Sequence, residues 1–420
     1  MQALDQLPGP RARVGWGLWA WLAMTVLVLF QQGGIAGGVG QALAIAAPLT
    51  ERGAQADALH EERVERQVRA ALAGEANDPA RDAAIGARLE AIGEPADALL
   101  WTLILALPTA LLLAVGRYGL IQAVAGILVA AFTALTMLAL LKLQARPDWA
   151  VRWAEIGEGL RLRLPAPRDD GVKPMNTALA TFGIIGVGAA ELVMYPYWCL
   201  EKGYARWTGR DDGSPGWAAR AHGWMRVMRL DAFLSMAIYT AATLVFYLLG
   251  AAVLGRAGLD PEGAGMVRTL AAVYAPVFGE AAPGLFLAGA VVVLYSTFFV
   301  GCAGLARVGA DALLRFGLVR EDAASQRRAV QVLGAVIPLF GALAFALVRA
   351  PEKLILASGV AQALMLPVLG LTALWLRYRR TPRSLAPGLL WDIGLVLSFL
   401  GFLLAGGWLA LSKLVPGLVD

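Results

Sequence analysis

Nine stretches of this chain stay apolar for roughly 20 residues each, which is what a helix needs to cross a hydrocarbon core of about 30 Å. They read as 16–48, 98–115, 119–142, 177–201, 230–254, 283–306, 329–348, 353–376 and 390–412. In lipid every backbone polar group must be satisfied internally, so only helices and closed barrels can span. The runs are continuous rather than alternating, which excludes a barrel. The expected fold class is therefore an all-α integral membrane protein with about nine transmembrane helices. Composition supports this: 58% of the 420 residues are hydrophobic and 16% are charged, an apolar excess that a soluble domain does not carry.

Sidedness follows from Lys and Arg, which are retained on the cytoplasmic side. Arg11 and Arg13, Arg117, Lys202 with Arg206, Arg210, Arg220, Arg226 and Arg229, Arg307 to Arg328, and Arg377 to Arg383 all fall on one face if nine spans alternate. That face is expected to be cytoplasmic, with segment 1–15 and the N-terminus inside, the C-terminal tail 413–420 outside, and the chain multi-pass in the inner (plasma) membrane. One loop conflicts. Residues 144–176 fall on the opposite face, yet carry Arg146, Arg152, Arg161, Arg163, Arg168 and Lys173.

Other chemistries find no support in the sequence. Cys199 and Cys302 have no CxxC or Cys/His spacing around them, so neither a disulfide framework nor a zinc site is expected. No Walker loop or HExxH helix is present, and "WTGRDDGSPGW" reads as an exposed turn, so the expectation is not an enzyme. The net charge of +5 belongs to membrane-flanking loops, and no nucleic acid partner is expected. Segment 49–97 differs in kind. "HEERVERQVRAALAG" alternates charge, with Val64, Val68, Ala71 and Leu72 at helical spacing, and predicts amphipathic helices outside the bilayer. Two readings stand for it, a lid or partner-binding insertion and a solvated hairpin packed on the loops.

The stretch "GIIGVGAAELVMYPYWCLEKGYARW" puts Glu191 and Pro196 inside an apolar run. A charge at the bilayer centre costs about 2.5 kcal/mol or more, so Glu191 is expected to face a cavity or partner within the bundle. Pro196 removes a backbone donor and Gly183, Gly186 and Gly188 weaken the helix ahead of it, so a break is expected at the proline. Glu191, Tyr195 and Tyr197 are then expected to converge on one cavity near mid-membrane. The other reading is a proline-kinked packing helix. Gln31, Gln32, Ser296, Thr297 and Gln362 are further polar groups at membrane depth, each read as lining a cavity or bonding a neighbouring helix. "GGIAGGVG" has small-xxx-small spacing and is read as a packing seam.

The order "LLLAVGRYGLIQAVAGILVAAFTALTMLALLKLQARPDWA", then "MYPYW", then "LFLAGAVVVLYSTFFVGCAGL" and "LILASGVAQALMLPVLGL" resembles the Nramp family of divalent-metal transporters. "YPYWCLEKGYARW" is similar to a divergent bacterial branch. The resemblance implies a LeuT-type (APC superfamily) bundle of inverted repeats, and secondary active, proton-linked symport of manganese- or iron-class ions by alternating access. The implied partners are the lipid bilayer and a small inorganic ion, with no bound cofactor beyond the transported cation. On this alignment residues 16–48 match the family's third helix. The expected fold is then an incomplete LeuT-type bundle lacking the first two helices and the Asp and Asn they contribute, with a homo-oligomer, a truncated or non-transporting protein, or another small solute as the alternatives. Aligning on Pro196 puts Tyr195 at the family's methionine, Tyr197 at its histidine and Leu192 at the residue whose carbonyl faces the ion. The implied metal contacts are Leu192 and Tyr195, and the implied substrate-binding set is Glu191, Leu192, Tyr195, Pro196, Tyr197 and Gln362. Gly359 falls where the family often carries an amide, with Gln362 one turn away.

Overall fold

A computed structural model describes residues 1–73, 78–116, 119–161, 174–185, 187–259, 261 and 265–414. Arg117, Arg163, Arg168, Lys173 and Gly186 lie outside the described residues. The chain opens with a helical turn α1 (Gln2–Asp5) and a two-stranded antiparallel hairpin, β1 (Arg11–Ala12) with β2 (Val14–Gly15). Among the described residues every regular element after it is helical: α2 (Trp16–Ala46), α3 (Glu51–Ala73), α4 (Pro79–Ile92), α5 (Asp97–Val115), α6 (Gly119–Leu143), α7 (Trp153–Gly159), α8 (Pro174–Phe182), α9 (Ala189–Glu201) and α10 (Pro215–Gly250). Then come α11 (Met266–Ala271), α12 (Ala275–Phe278), α13 (Ala282–Arg315), α14 (Ala323–Val348), α15 (Pro351–Arg379) and α16 (Leu389–Leu414).

Among the described residues, 8 helical stretches are long and apolar enough to cross a membrane. The remaining expected span, 177–201, is the discontinuous pair α8 and α9. Helix ends also lie further out than hydropathy placed them. α10 begins at Pro215, capped by Ser214 accepting from the Trp217 N–H at 3.0 Å, and α13 runs on to Arg315. The turn before α10 is held by Asp211 and Asp212, whose carboxylates accept from Gly213 and Ser214 N–H groups at 3.0 and 2.9 Å.

The helix α2 forms the centre of the bundle, packing on α5, α13, α14 and α15. Its small residues make that possible. A Cβ at Gly33 would lie 2.7 Å from the Gly341 carbonyl of α14, one at Gly34 would lie 2.6 Å from the Pro351 carbonyl of α15, and one at Gly37 would overlap the Phe345 ring. The glycine run is thus a packing seam that lets three helices approach backbone to backbone. Side chains of Leu18, Trp21, Val28, Phe298, Phe299 and Leu366 fill the space around it.

The insertion is docked. Val68 is buried in a cluster with Phe132, Leu143, Trp149, Leu249 and Tyr274, beneath a Tyr274–Thr136 hydroxyl contact of 2.5 Å. Arg268 of α11, only 8% exposed, donates to Asp57 of α3 at 2.8 and 2.5 Å and lies 3.1 Å from Glu61. Burial pushes the Asp57 carboxyl up from its ordinary value and holds the His60 imidazole below its own. Asp82 ties α4 back to Arg66 of α3. α3 is thus anchored on α11 and packed beside α4. Arg268→Ala should leave two carboxylates without their cation, costing about 3 kcal/mol, and raise amide exchange across α3. Unchanged protection in α3 by hydrogen-exchange mass spectrometry would remove Arg268 as its anchor.

The conflicting loop has its own partner. Arg256, just after α10, donates to the Asp148 and Ala150 carbonyls at 2.9 and 3.0 Å and to Glu155 of α7 at 2.9 Å.

Candidate functional site

The α8–α9 break lies at glycine, not at proline. α8 ends at Phe182 in tight turns, the Gly183 and Ile184 N–H groups reaching Ala180 and Thr181 carbonyls at 3.1 and 3.0 Å. α9 restarts from an extended Gly188 and runs unbroken through Pro196. A membrane helix tolerates a proline when only one hydrogen bond is lost, whereas Gly183 and Gly188 carry no side chain to oppose the turn. Gly183 also lies backbone against backbone on Gly359 of α15, where a Cβ on either would strike the other strand of chain. Gly359 is therefore a packing residue at the position where the resemblance implied an amide.

A helix start leaves N–H groups without partners, and Gly188 has no side chain to cap them. The cap comes from α15. Gln362, fully buried, accepts from the Ala190 N–H at 3.0 Å through its carbonyl oxygen. Its amide nitrogen donates to the Gln31 oxygen of α2 at 3.0 Å and lies 3.2 Å from Ser358, which donates to the same Gln31 oxygen at 2.7 Å. Three helices are thus joined by a polar chain at the break. Glu191 belongs to the same place: a Cβ on Gly188 would lie 2.5 Å from both a Glu191 carboxylate oxygen and the Gln362 carbonyl oxygen. A side chain at Gly188 would have to displace one of them. Glu191 itself is exposed.

The tyrosines do not join it. Residues two apart on a helix point to opposite sides. Tyr195 donates to Asp231 of α10 at 3.0 Å, with Lys202 3.9 Å from that carboxylate. Tyr197 donates to Asp311 of α13 at 2.5 Å, where Arg315 and the Met1 amino group each lie 3.5 Å away. The expected convergence of Glu191, Tyr195 and Tyr197 on one cavity is corrected by this geometry: each phenol is committed to its own carboxylate. Leu192 and Pro196 face a different space, a cavity of about 970 Å³ that is bounded also by Tyr197, Asp311, Thr372 and Phe399. Because Pro196 carries no N–H, the Leu192 carbonyl loses its helical donor.

Among the other polar residues, Gln32 meets the Cys302 thiol at 3.8 Å, while Ser296 and Thr297 bond back to the Val293 carbonyl of their own helix. Met194, the one thioether on α9, packs on Gly304 of α13 rather than into the cavity. Sequence reasoning missed Ser358, although it lies one helical turn before Gln362. It also missed Asp231 and Asp311. Asp311 lay beyond the expected end of its span, with Arg315 at the i,i+4 spacing that marks a helix continuing.

A family model described as Natural resistance-associated macrophage protein-like, Nramp, matches residues 68–412. The chain belongs to the Nramp family. Membership makes it a multi-pass membrane protein of a class that transports divalent metal ions, and the broken α8–α9 pair lies inside the matched region while α2 lies outside it. Comparison with curated proteins gives no match. The α8–α9 break, its cap Gln362 and Pro196 all lie inside the matched region.

Proposed function

We propose that this Nramp protein is a secondary transporter that moves a manganese- or iron-class divalent cation by alternating access, coupled to protons. The observation that carries the reading is the α8–α9 break, an interruption of a membrane helix capped from α15 by Gln362 with the Glu191 carboxylate beside it. Irregular backbone at this depth is stable only where protein or a wet cavity satisfies it. In this reading the Glu191 and Gln362 oxygens at the break and the Leu192 carbonyl left open by Pro196 are successive, not shared, contacts of the passing ion. Tyr195 and Tyr197 hold α9 to α10 and α13 through Asp231 and Asp311, which makes them supports for the ion path. The basic face that carries the N-terminus is assigned to the cytoplasm of the inner membrane.

Oxygen donors suit manganese and magnesium alike, whereas a thioether favours the softer metal. With Met194 turned onto Gly304, uptake into proteoliposomes should prefer manganese over magnesium by less than about tenfold. Manganese uptake undiminished by a large excess of magnesium would defeat the oxygen-only assignment, and absence of saturable uptake of either ion would defeat the transporter reading itself.

A further inference from the structure

We infer that the groove between α2, α13 and α14 binds one acyl chain of an anionic phospholipid, with the lipid phosphate held by Arg13. The groove holds about 500 Å³ and is walled by Trp19, Leu29, Gly309, Phe316 and Leu333, with Arg13 its only charged lining residue. Its length fits one leaflet. From Trp19 to Leu29 along α2 is ten residues, about 15 Å at the helical rise, which is half of a roughly 30 Å hydrocarbon core. Trp19 at the upper end is exposed and meets Phe316 edge-on at 5.0 Å, in keeping with a ring at the membrane interface.

Arg13 is placed there at a cost. It is at the tip of the β1–β2 hairpin with φ 61°, a left-handed conformation that residues other than glycine rarely adopt. The hairpin leaves it little freedom to relax. Arg11 bonds Asp5, the Gly15 N–H donates to the Asp5 carboxylate at 2.7 Å, and the Trp19 indole donates to the Ala12 carbonyl at 3.1 Å. The guanidinium lies over Gly317, where a Cβ would come within 3.1 Å of it. Among the described residues no carboxylate pairs with Arg13, unlike Arg11, Arg307 and Arg315. An unpaired cation at the headgroup end of an apolar groove complements a lipid phosphate.

The test is native mass spectrometry of the purified chain in detergent, with phosphatidylglycerol or phosphatidylcholine of matched acyl chains added. One phosphatidylglycerol should remain bound per chain and phosphatidylcholine should bind less tightly. Arg13→Asn, which removes the charge while accepting the left-handed backbone, should weaken phosphatidylglycerol by about fivefold and erase the headgroup preference. Gly309→Leu fills the groove and should lose both lipids. Each variant must elute as the wild type does on size exclusion. Equal retention of the two lipids by the wild type, or full retention by Gly309→Leu, overturns the assignment.

Discussion

Gln362→Leu should reduce ion uptake at least about tenfold while also destabilising the bundle by about 2 kcal/mol. The substitution keeps the volume of the side chain and removes every hydrogen bond it makes. The Ala190 N–H at the start of α9 then has no acceptor, since Gly188 offers no side chain and the amide of Gln362 is its cap. Gln31 loses one of its two donors, keeping only Ser358. Buried groups deprived of partners carry the full cost of desolvation, which is why the loss exceeds the worth of an ordinary hydrogen bond. Gln362→Glu separates cap from charge, because a carboxylate can still accept from Ala190 but cannot donate to Gln31. It should retain the position of α9 better than leucine does. The measurement is initial-rate uptake in proteoliposomes alongside thermal unfolding. Leucine with wild-type uptake and stability would mean that the break is held by packing alone.

The bundle was legible because lipid leaves a chain so few choices. Length and continuity of the apolar runs marked eight helices and the broken pair, and the small-residue spacing of Gly33, Gly34 and Gly37 identified the seam where helices meet. Glu191 and Gln362 stood out because a polar group in such a run needs a reason. What the sequence concealed was direction. Pro196 and the glycines upstream both weaken a helix, and only the Gly183–Gly359 approach and the cap from Gln362 decide which of them breaks it. The placing of Tyr195 and Tyr197 in one cavity followed from a helix expected to break at Pro196, yet a helix turns residues two apart to opposite sides, and Asp231 and Asp311 were waiting on different neighbours. Gly359 read as a missing amide when its lack of a side chain is what allows α8 to pack. Long-range partners of this kind leave no mark in local pattern.

Pro196→Ala should raise thermal stability and impair transport together. Alanine restores an N–H four residues after Leu192, so the Leu192 carbonyl regains the helical partner that proline denies it. In a helix interior that exchange is worth up to about 3 kcal/mol, and less where the surrounding helices already fix the backbone. Leu192 lines the large cavity shared with Tyr197 and Asp311. A carbonyl engaged in its own helix is a weaker ligand for a cation, so the KM for manganese should rise about tenfold, which corresponds to roughly 1.4 kcal/mol of lost interaction. Stiffening of α9 could lower transport by itself, and Pro196→Gly distinguishes the two causes. Glycine restores the N–H but favours the helix by about 1 kcal/mol less than alanine, so it should share the KM defect with a smaller gain in Tm. If both variants keep the wild-type KM, the Leu192 carbonyl does not touch the ion and the substrate path runs along the Glu191 face of α9 instead.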